Sequence, residues 1–235
     1  MAQRYLSRLL LLLTMTLYGM DNIAKPIPIQ HQAFVAQLDL LITEANHDIQ
    51  RERTKLLRCQ QKRHLSHSDN KYLKTLATQY RLSAFDPSKD DDWTKLLKRV
   101  DTIPNSLALA QAINESAWGT SRFAQQGHNL YGTWCYRKGC GIVPLHASNQ
   151  RYFEVKAYPQ FKDSVEDYLL NLNSHSQYKA LRETRYQLHQ EKRLISGQVL
   201  AGHLASYSAM GQQYIDAIRS LIAMYQLEVL PQTNT

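Results

Sequence analysis

Apolar residues recur at three- and four-residue steps along the first third of the chain, which is the spacing of an amphipathic helix. This repeat predicts one helix up to about residue 50, and a basic polar stretch follows from Arg51 to His67. A second helix is predicted from Asp69 to Tyr80. The apolar positions of the first helix are Phe34, Leu38, Leu41, Ile42, Ala45 and Ile49. Residues 25–84 are therefore predicted to form a helical N-terminal extension.

The second part of the chain, residues 85–228, has a mixed pattern. Breaker residues at 86–92 precede a predicted helix with Trp93 on its apolar side, and Pro104 suits the first turn of the next helix. That helix should end near Ser116, because Gly119 and two hydroxyl residues follow. Residues 127–160 are rich in glycine, proline and aromatic residues and predict a small β-lobe. Helical spacing returns at Phe161 and again in a last helix from Gln213 to Tyr225. The expected fold class is α+β and mainly helical.

The N-terminus carries an export signal pattern. Arg4 and Arg8 precede the apolar run from Leu9 to Leu13, which continues more weakly to Met20. A basic start followed by about 7–15 apolar residues is typical of a signal peptide, and a spanning helix needs about 20. Residues 1–24 are interpreted as a signal peptide, and the competing interpretation is an uncleaved anchor with inner-membrane attachment through residues 9–20. Both place the protein in the periplasm or cell envelope.

Charge and composition point to an anionic, sugar-rich partner. The formal net charge is +8 and the pI is about 9.3, which favours binding to an anionic polymer or surface. No helix-turn-helix, zinc finger or RNA-binding aromatic motif is present and the basic residues are scattered, so no nucleic-acid partner is expected. Fourteen tyrosines against five phenylalanines suit a polar cleft, because a tyrosine ring stacks and also carries a hydroxyl.

The three cysteines allow two interpretations. Cys135 and Cys140 flank a four-residue segment, and in an exported chain they could form a small loop disulfide. A metal site would need further ligands, and only His128 and His146 are near in sequence, so no metal and no cofactor are predicted. Cys59 stands alone.

Glu115 is the most informative ionisable residue. It lies at the end of an apolar helix, three residues before Trp118. A carboxyl group beside a tryptophan and small apolar residues is partly desolvated, which favours its protonated form. A glycosidase needs such a group to donate a proton to the departing sugar oxygen. An ordinary surface glutamate at a helix end is the alternative interpretation.

The residues around Glu115 form an ordered pattern that resembles the peptidoglycan glucosaminidases of glycoside hydrolase family 73. The matching positions are Glu115-Ser116, Trp118-Gly119, Ser121, Ala124 and Asn129-Leu130-Tyr131-Gly132. A Bax-like branch of bacterial envelope proteins is more similar still. Its hallmarks appear as Trp134-Cys135, the run from Gly139 to Pro144, and the run from Asp167 to His175. The resemblance extends from about Phe34 to about Leu227.

This resemblance implies a lysozyme-like helical body with a small β-lobe that faces the acid across a glycan-binding groove. It implies hydrolysis of the β-1,4 bond after N-acetylglucosamine in peptidoglycan glycan strands, with Glu115 as general acid. The second catalytic group stays open. Glu154 is the candidate base, although the family's aromatic-Arg-x-Tyr context reads Val155-Lys156-Ala157-Tyr158 here. Otherwise the 2-acetamido group of the substrate serves as nucleophile.

The resemblance also suggests further site residues. Tyr207 matches the first tyrosine of a catalytic-site segment in the family, where a phenol could orient the acetamido group. The predicted substrate-binding residues are Ser116, Trp118, Asn129, Tyr131 and Trp134. Two other functions remain possible from the sequence. One is a lytic transglycosylase with the same fold, and the other is a non-catalytic wall-binding protein.

Overall fold

The computed structural model describes residues 24–145 and 152–229. The predicted signal or anchor segment, including residues 9–20, lies outside the described residues. The helices are α1 (Ile29–Gln60), α2 (His67–Gln79), α3 (Asp90–Arg99), α4 (Asn105–Ser116), α5 (Arg122–Gly127), α6 (Phe161–Ser174), α7 (Lys179–Gln190), α8 (Gly197–Ala201) and α9 (Gln212–Met224). Short 3-10 turns lie at Ser176–Tyr178 and Leu227–Val229. None of the helices described here has the length and apolar character needed to cross a membrane.

Helix α1 is longer than the sequence pattern predicts. The basic polar stretch was expected to begin at Arg51, but the helix continues to Gln60. Its buried face carries Ile49, Leu56 and Cys59. The buried positions therefore continue beyond Arg51, but they are spaced more widely than in the first half of the helix. Most polar residues between these positions are exposed, while Glu52 and Arg53 turn inward and are hydrogen-bonded to Tyr80 and to the carbonyls of Leu97 and Val100, so this part of the helix shows few apolar residues in sequence.

Helix α7 occupies a segment for which the pattern predicts no element. Its buried positions are Leu181, Arg182, Arg185 and Leu188. Two of these four are arginines, so the buried face of this helix does not show an apolar repeat in the sequence. The guanidinium groups are accommodated because backbone carbonyls accept their hydrogen bonds.

Helix α4 lies at the centre of the molecule. Its residues Leu107 to Ala110 are fully buried, which is expected of a helix that is apolar on every side. Helices α1, α8 and α9 pack around it. Buried residues of α1 and α2, including Ile42 and Leu73, belong to the same hydrophobic core as α4. The predicted N-terminal extension therefore shares its core with the rest of the described chain.

Three short antiparallel strands form the β-lobe. They are β1 (Trp134–Cys135), β2 (Gly141–Ile142) and β3 (Glu154–Lys156), and the sheet order is β1-β3-β2. Trp134 pairs with Val155 on one side, and Ile142 pairs with Val155 on the other. The prediction of a mainly helical α+β fold with a small β-lobe is confirmed.

Candidate active site

The last turn of α4 brings Glu115 out of the core. Ala117, Trp118 and Gly119 have left-handed φ angles of 49°, 60° and 76° and stop the helix directly after Ser116. Glu115 is half-buried at this end. Asn114 donates a hydrogen bond of 3.2 Å to its Oε1. The Glu115 carboxyl group is thus carried at the end of a helix whose preceding turns are buried.

A cluster of tyrosines lies behind Glu115. Gln111, one helical turn earlier and fully buried, accepts a hydrogen bond from Tyr168 (2.7 Å) and donates one to Tyr214 (2.9 Å). Burial, with a smaller contribution from the negative charge of Glu115, raises the pKa of Tyr168 and Tyr214 well above the ordinary range. The Tyr168 hydroxyl uses its hydrogen on Gln111, whereas Tyr214 accepts from Gln111 and keeps its own hydrogen to donate to the Glu115 carboxylate.

An open groove of about 770 Å³ extends from Glu115. The β-lobe forms one wall, and residues spaced four apart on α6 form another. Residues 207–209 close a third side. Asp167 and Asn171 of α6 line the groove, together with His175, the residue directly after the helix. A β-lobe opposite a helix-end carboxyl group gives the groove the general form of a polymer-binding site.

Asp167 is the second carboxylate that lines the groove, and it was not among the predicted site residues. Its Oδ2 accepts hydrogen bonds from Lys156 Nζ (2.7 Å) and from the Tyr158 hydroxyl (2.6 Å). The regular Asp-x3-Asn-x3-His spacing of residues 167–175 was visible in the sequence. Such spacing places three polar side chains on one helix face, and this signal could have identified the wall.

The structure brings four of the predicted catalytic and substrate-binding residues together in the groove: Glu115, Tyr131, Trp134 and Tyr207. Trp134 is 54% exposed and stacks on Phe153 with 4.3 Å between ring centroids. An exposed aromatic face of this kind can support a sugar ring. The Tyr207 hydroxyl donates to the backbone carbonyl of Tyr131 (2.9 Å), and its ring stacks on Tyr214.

Ser116 and Trp118, two of the predicted substrate-binding residues, do not line the groove. The Ser116 hydroxyl is buried, donates to the Ala112 carbonyl (2.6 Å) and accepts from the Gly119 amide (2.7 Å). Trp118 stacks on His31 of α1 with 4.4 Å between centroids. Both side chains stabilise the turn that ends α4. Their contacts therefore help to position Glu115 and are not available to a ligand in the groove.

Asn129 is also absent from the groove lining. It is buried, and its Oδ1 accepts from the amides of Tyr131 and Thr133. Its Nδ2 donates to the carbonyls of Thr133 and Lys156. Four hydrogen bonds exhaust the capacity of one amide side chain. Asn129 therefore fixes the loop that carries Tyr131 into the groove.

Glu154 lies in the β-lobe with its carboxylate turned into the loop between β1 and β2. It is 3% exposed and accepts hydrogen bonds from the amides of Gly139 (2.9 Å) and Gly141 (2.6 Å) and from the Tyr152 hydroxyl. The Tyr152 hydrogen bond, followed by the backbone amides, lowers the pKa of Glu154. Glu154 does not line the groove, unlike Asp167.

Cys135 and Cys140 are joined as a disulfide in this same loop, with 6.3 Å between their Cα atoms. The bridge and the Glu154 carboxylate hold the β1–β2 connection from two sides. Cys59 is a free, buried thiol.

Comparison with known proteins adds family information to this geometry. Residues 90–227 match the Glucosaminidase family model, described as Mannosyl-glycoprotein endo-beta-N-acetylglucosaminidase. The chain is 33% identical over 198 residues to "Protein bax" of Escherichia coli strain K12, which covers 83% of this chain and 68% of that protein. The catalytic domain of the autolysin Auto from Listeria monocytogenes aligns at 17% identity and a TM-score of 0.45, over 92% of this chain and 94% of that one.

Proposed function

We propose, because the chain belongs to the glucosaminidase family, that it hydrolyses the β-1,4 glycosidic bond after N-acetylglucosamine in peptidoglycan glycan strands, with Glu115 as general acid. The observation that carries this proposal is the half-buried Glu115 carboxyl group at a helix end, open to a long groove with an exposed aromatic wall. We also place the protein in the periplasm or cell envelope, where this substrate is found, as part of the same proposal.

In the proposed reaction Glu115 donates its proton to the glycosidic oxygen as the bond from C1 to that oxygen breaks. The carbonyl oxygen of the 2-acetamido group attacks C1 and forms a cyclic oxazolinium intermediate. A water molecule then adds to C1 and gives a proton back to the Glu115 carboxylate, which opens the ring. Two displacements at C1 retain the anomeric configuration.

The contacts of Glu154 favour acetamido assistance over a scheme in which Glu154 is the second catalytic carboxylate. A general base must reach the water that it activates, either directly or through one other water. Both Glu154 oxygens already accept hydrogen bonds from the β1–β2 loop. We therefore assign Glu154 to positioning the β-lobe. Tyr207, whose ring borders the groove, is the protein group that we expect to orient the acetamido group.

Product analysis of digested sacculi tests the proposal. The wild-type protein should release fragments with reducing N-acetylglucosamine ends, and Glu115→Gln should lower the rate by about 10²–10⁴-fold without loss of folding. Glu44→Gln, which changes an exposed glutamate of α1, is the matched control and should retain full activity.

Other products would identify the rival functions. Anhydromuramic ends would identify a lytic transglycosylase. Binding to sacculi without any cleavage would identify a non-catalytic wall-binding protein. If Glu115→Gln hydrolysed strands at a rate within tenfold of the wild type, Glu115 would not be the general acid.

A further inference from the structure

The far end of the groove, beyond Asn171, carries a cation from the N-terminal segment. Arg81 follows α2, lines the same groove as Glu115, and precedes the residues 90–227 that match the family model. Its guanidinium makes no hydrogen bond and no ion pair with any residue in the described ranges 24–145 and 152–229. This separates it from Lys156, the other lysine or arginine of the groove lining, which is paired with Asp167 at 2.7 Å.

Hydrogen bonds from the Arg99 side chain hold the backbone around Arg81 in place. Arg81 has a left-handed φ of 56°, a conformation that a residue with a side chain rarely adopts. The Arg99 guanidinium donates to the carbonyls of Tyr80 (2.6 Å) and Arg81 (2.7 Å). The left-handed residue ends α2, with the amide of Leu82 donating to the Ala77 carbonyl, as is common after a helix C-cap. The anchored backbone keeps Arg81 at the groove edge.

His175 lies at the same end of the groove. Burial, and then the positive charges of Arg81 and Arg182, lower the pKa of His175, so the imidazole is neutral at pH 7. Its Nδ1 accepts from the Gln177 amide (3.3 Å), so Nε2 carries the proton and is a hydrogen-bond donor. The arginines that act on His175 make this end of the groove electropositive.

The groove carboxylates lie elsewhere. His175 is the extended residue directly after α6, two helical turns beyond Asp167, so about 10 Å of helix separates the two positions along the axis. An exposed cation with a fixed backbone, beside a neutral hydrogen-bond donor, matches a carboxylate ligand.

We propose that Arg81 and His175 form an anion subsite of the groove that binds a carboxylate carried by the glycan strand. The inference rests on the proposed function and names the residues that would recognise the acidic groups of its substrate. Two sources carry this chemistry, the lactyl group of peptide-stripped strands and the stem peptides of intact strands. The preference for carboxylated strands would then depend in part on Arg81, a residue of the N-terminal segment.

Binding in the Glu115→Gln background tests the subsite without turnover. The probes are chitohexaose, which is neutral, peptide-stripped glycan strands and peptide-bearing strands. Adding Arg81→Gln should weaken binding to one or both carboxylated probes about three- to tenfold, with chitohexaose unchanged. Arg81→Lys should restore part of the loss, and the effect should shrink as salt screens the charge. The probe that loses affinity identifies the source of the carboxylate.

Arg63→Gln is the matched control, because Arg63 is an exposed arginine of the α1–α2 connection that does not line the groove. It should leave all three affinities unchanged. Equal affinities of Arg81→Gln and its parent for carboxylated strands, or an equal loss on chitohexaose, would overturn the subsite. Cleavage assays with Glu115 intact separate the two proposals. Absence of cleavage on every strand refutes the proposed function, whereas cleavage with unchanged Arg81→Gln binding refutes only the subsite.

Discussion

Some residues of the β-lobe face the groove, and others stabilise the loop between β1 and β2. Trp134 and Glu154 belong to neighbouring strands, yet the tryptophan is exposed in the groove and the glutamate is buried under the loop. The contacts that stabilise the loop include the Cys135–Cys140 bridge and the amides that donate to Glu154. A substitution at Glu154 should therefore affect stability more than chemistry.

Glu154→Gln should slow hydrolysis less than tenfold and lower the thermal midpoint, because an amide cannot accept from all three donors as a carboxylate does. The lowered pKa of Glu154 sets the sign of the pH dependence. Its stabilising effect is present above the unfolded-state pKa of about 4.3 and is lost as pH falls through the folded-state pKa.

Thermal unfolding from pH 7 to pH 3 measures this effect. The difference in midpoint between wild type and Glu154→Gln should narrow as the solution is acidified. A constant difference would contradict the pKa direction. A rate loss of about 10²-fold or more, together with an inverted first product, would restore Glu154 as the base.

Tyr207→Phe should reduce kcat by about tenfold, more than Glu154→Gln does. The change removes the hydroxyl that anchors the ring to the Tyr131 carbonyl, a hydrogen bond of about 0.5–1.5 kcal/mol, so the ring loses the position from which we expect it to orient the acetamido group. Steady-state kinetics on purified glycan strands check this expectation, with Tyr186→Phe on α7 as the control. A larger effect of Glu154→Gln than of Tyr207→Phe would reverse the assignment.

At the scale of secondary-structure elements, the connection between α3 and α4 is joined to α1 and α7 by charges. Asp101 is 3% exposed. Its carboxylate lies 3.5 Å from Arg53, 3.6 Å from Arg185 and 3.0 Å from His189. Arg185 also donates to the carbonyls of Thr102 and Lys98. These contacts fix the start of α4 and therefore the direction in which that helix carries Glu115.

Arg185→Leu should lower the free energy of unfolding by about 3–5 kcal/mol, because it removes a buried partner of Asp101 and leaves carbonyls unpaired. Urea unfolding followed by circular dichroism measures the loss. Arg137→Leu, at an exposed position of the β-lobe, should change stability by less than about 0.5 kcal/mol. Similar losses in the two variants would show that the buried network contributes little.

At the scale of the whole molecule, the N-terminal segment is part of the fold. Five leucine and isoleucine side chains of α1 and α2 are at most 2% exposed, and they are Leu38, Ile42, Leu56, Leu73 and Leu76. Full burial of each such side chain stabilises a protein by about 1.5–3 kcal/mol. Their sum is comparable with the about 5–15 kcal/mol that holds a whole domain together.

A chain truncated to residues 85–235 should therefore fail to fold cooperatively, although it includes every residue that matches the family model. A chain that begins at Ala24 is the comparison. Thermal unfolding monitored by circular dichroism should show a sharp transition for the longer chain alone. A sharp transition in the shorter chain would show that the first two helices are dispensable for folding.

The sequence by itself determined those features that depend on neighbouring residues. The periodicity of Phe161 onward predicts α6, and the end of α4 near Ser116 follows from the breakers at Gly119 and beyond. The position of Glu115 at that helix end followed from the same local signals. Where buried polar residues interrupt the apolar repeat, as at Arg182 and Arg185, the pattern misses the helix.

Only the tertiary structure decided which side chains meet. Asp167 and Arg81 are far from Glu115 in sequence, and helix packing brings all three to one groove. Glu154 was predicted as a site residue from its place in the chain, but the pairing of β3 with β1 and β2 turns its carboxylate into the β1–β2 loop. Side-chain direction in a strand depends on register. Register is set by contacts between segments distant in sequence, so the sequence pattern alone left it open.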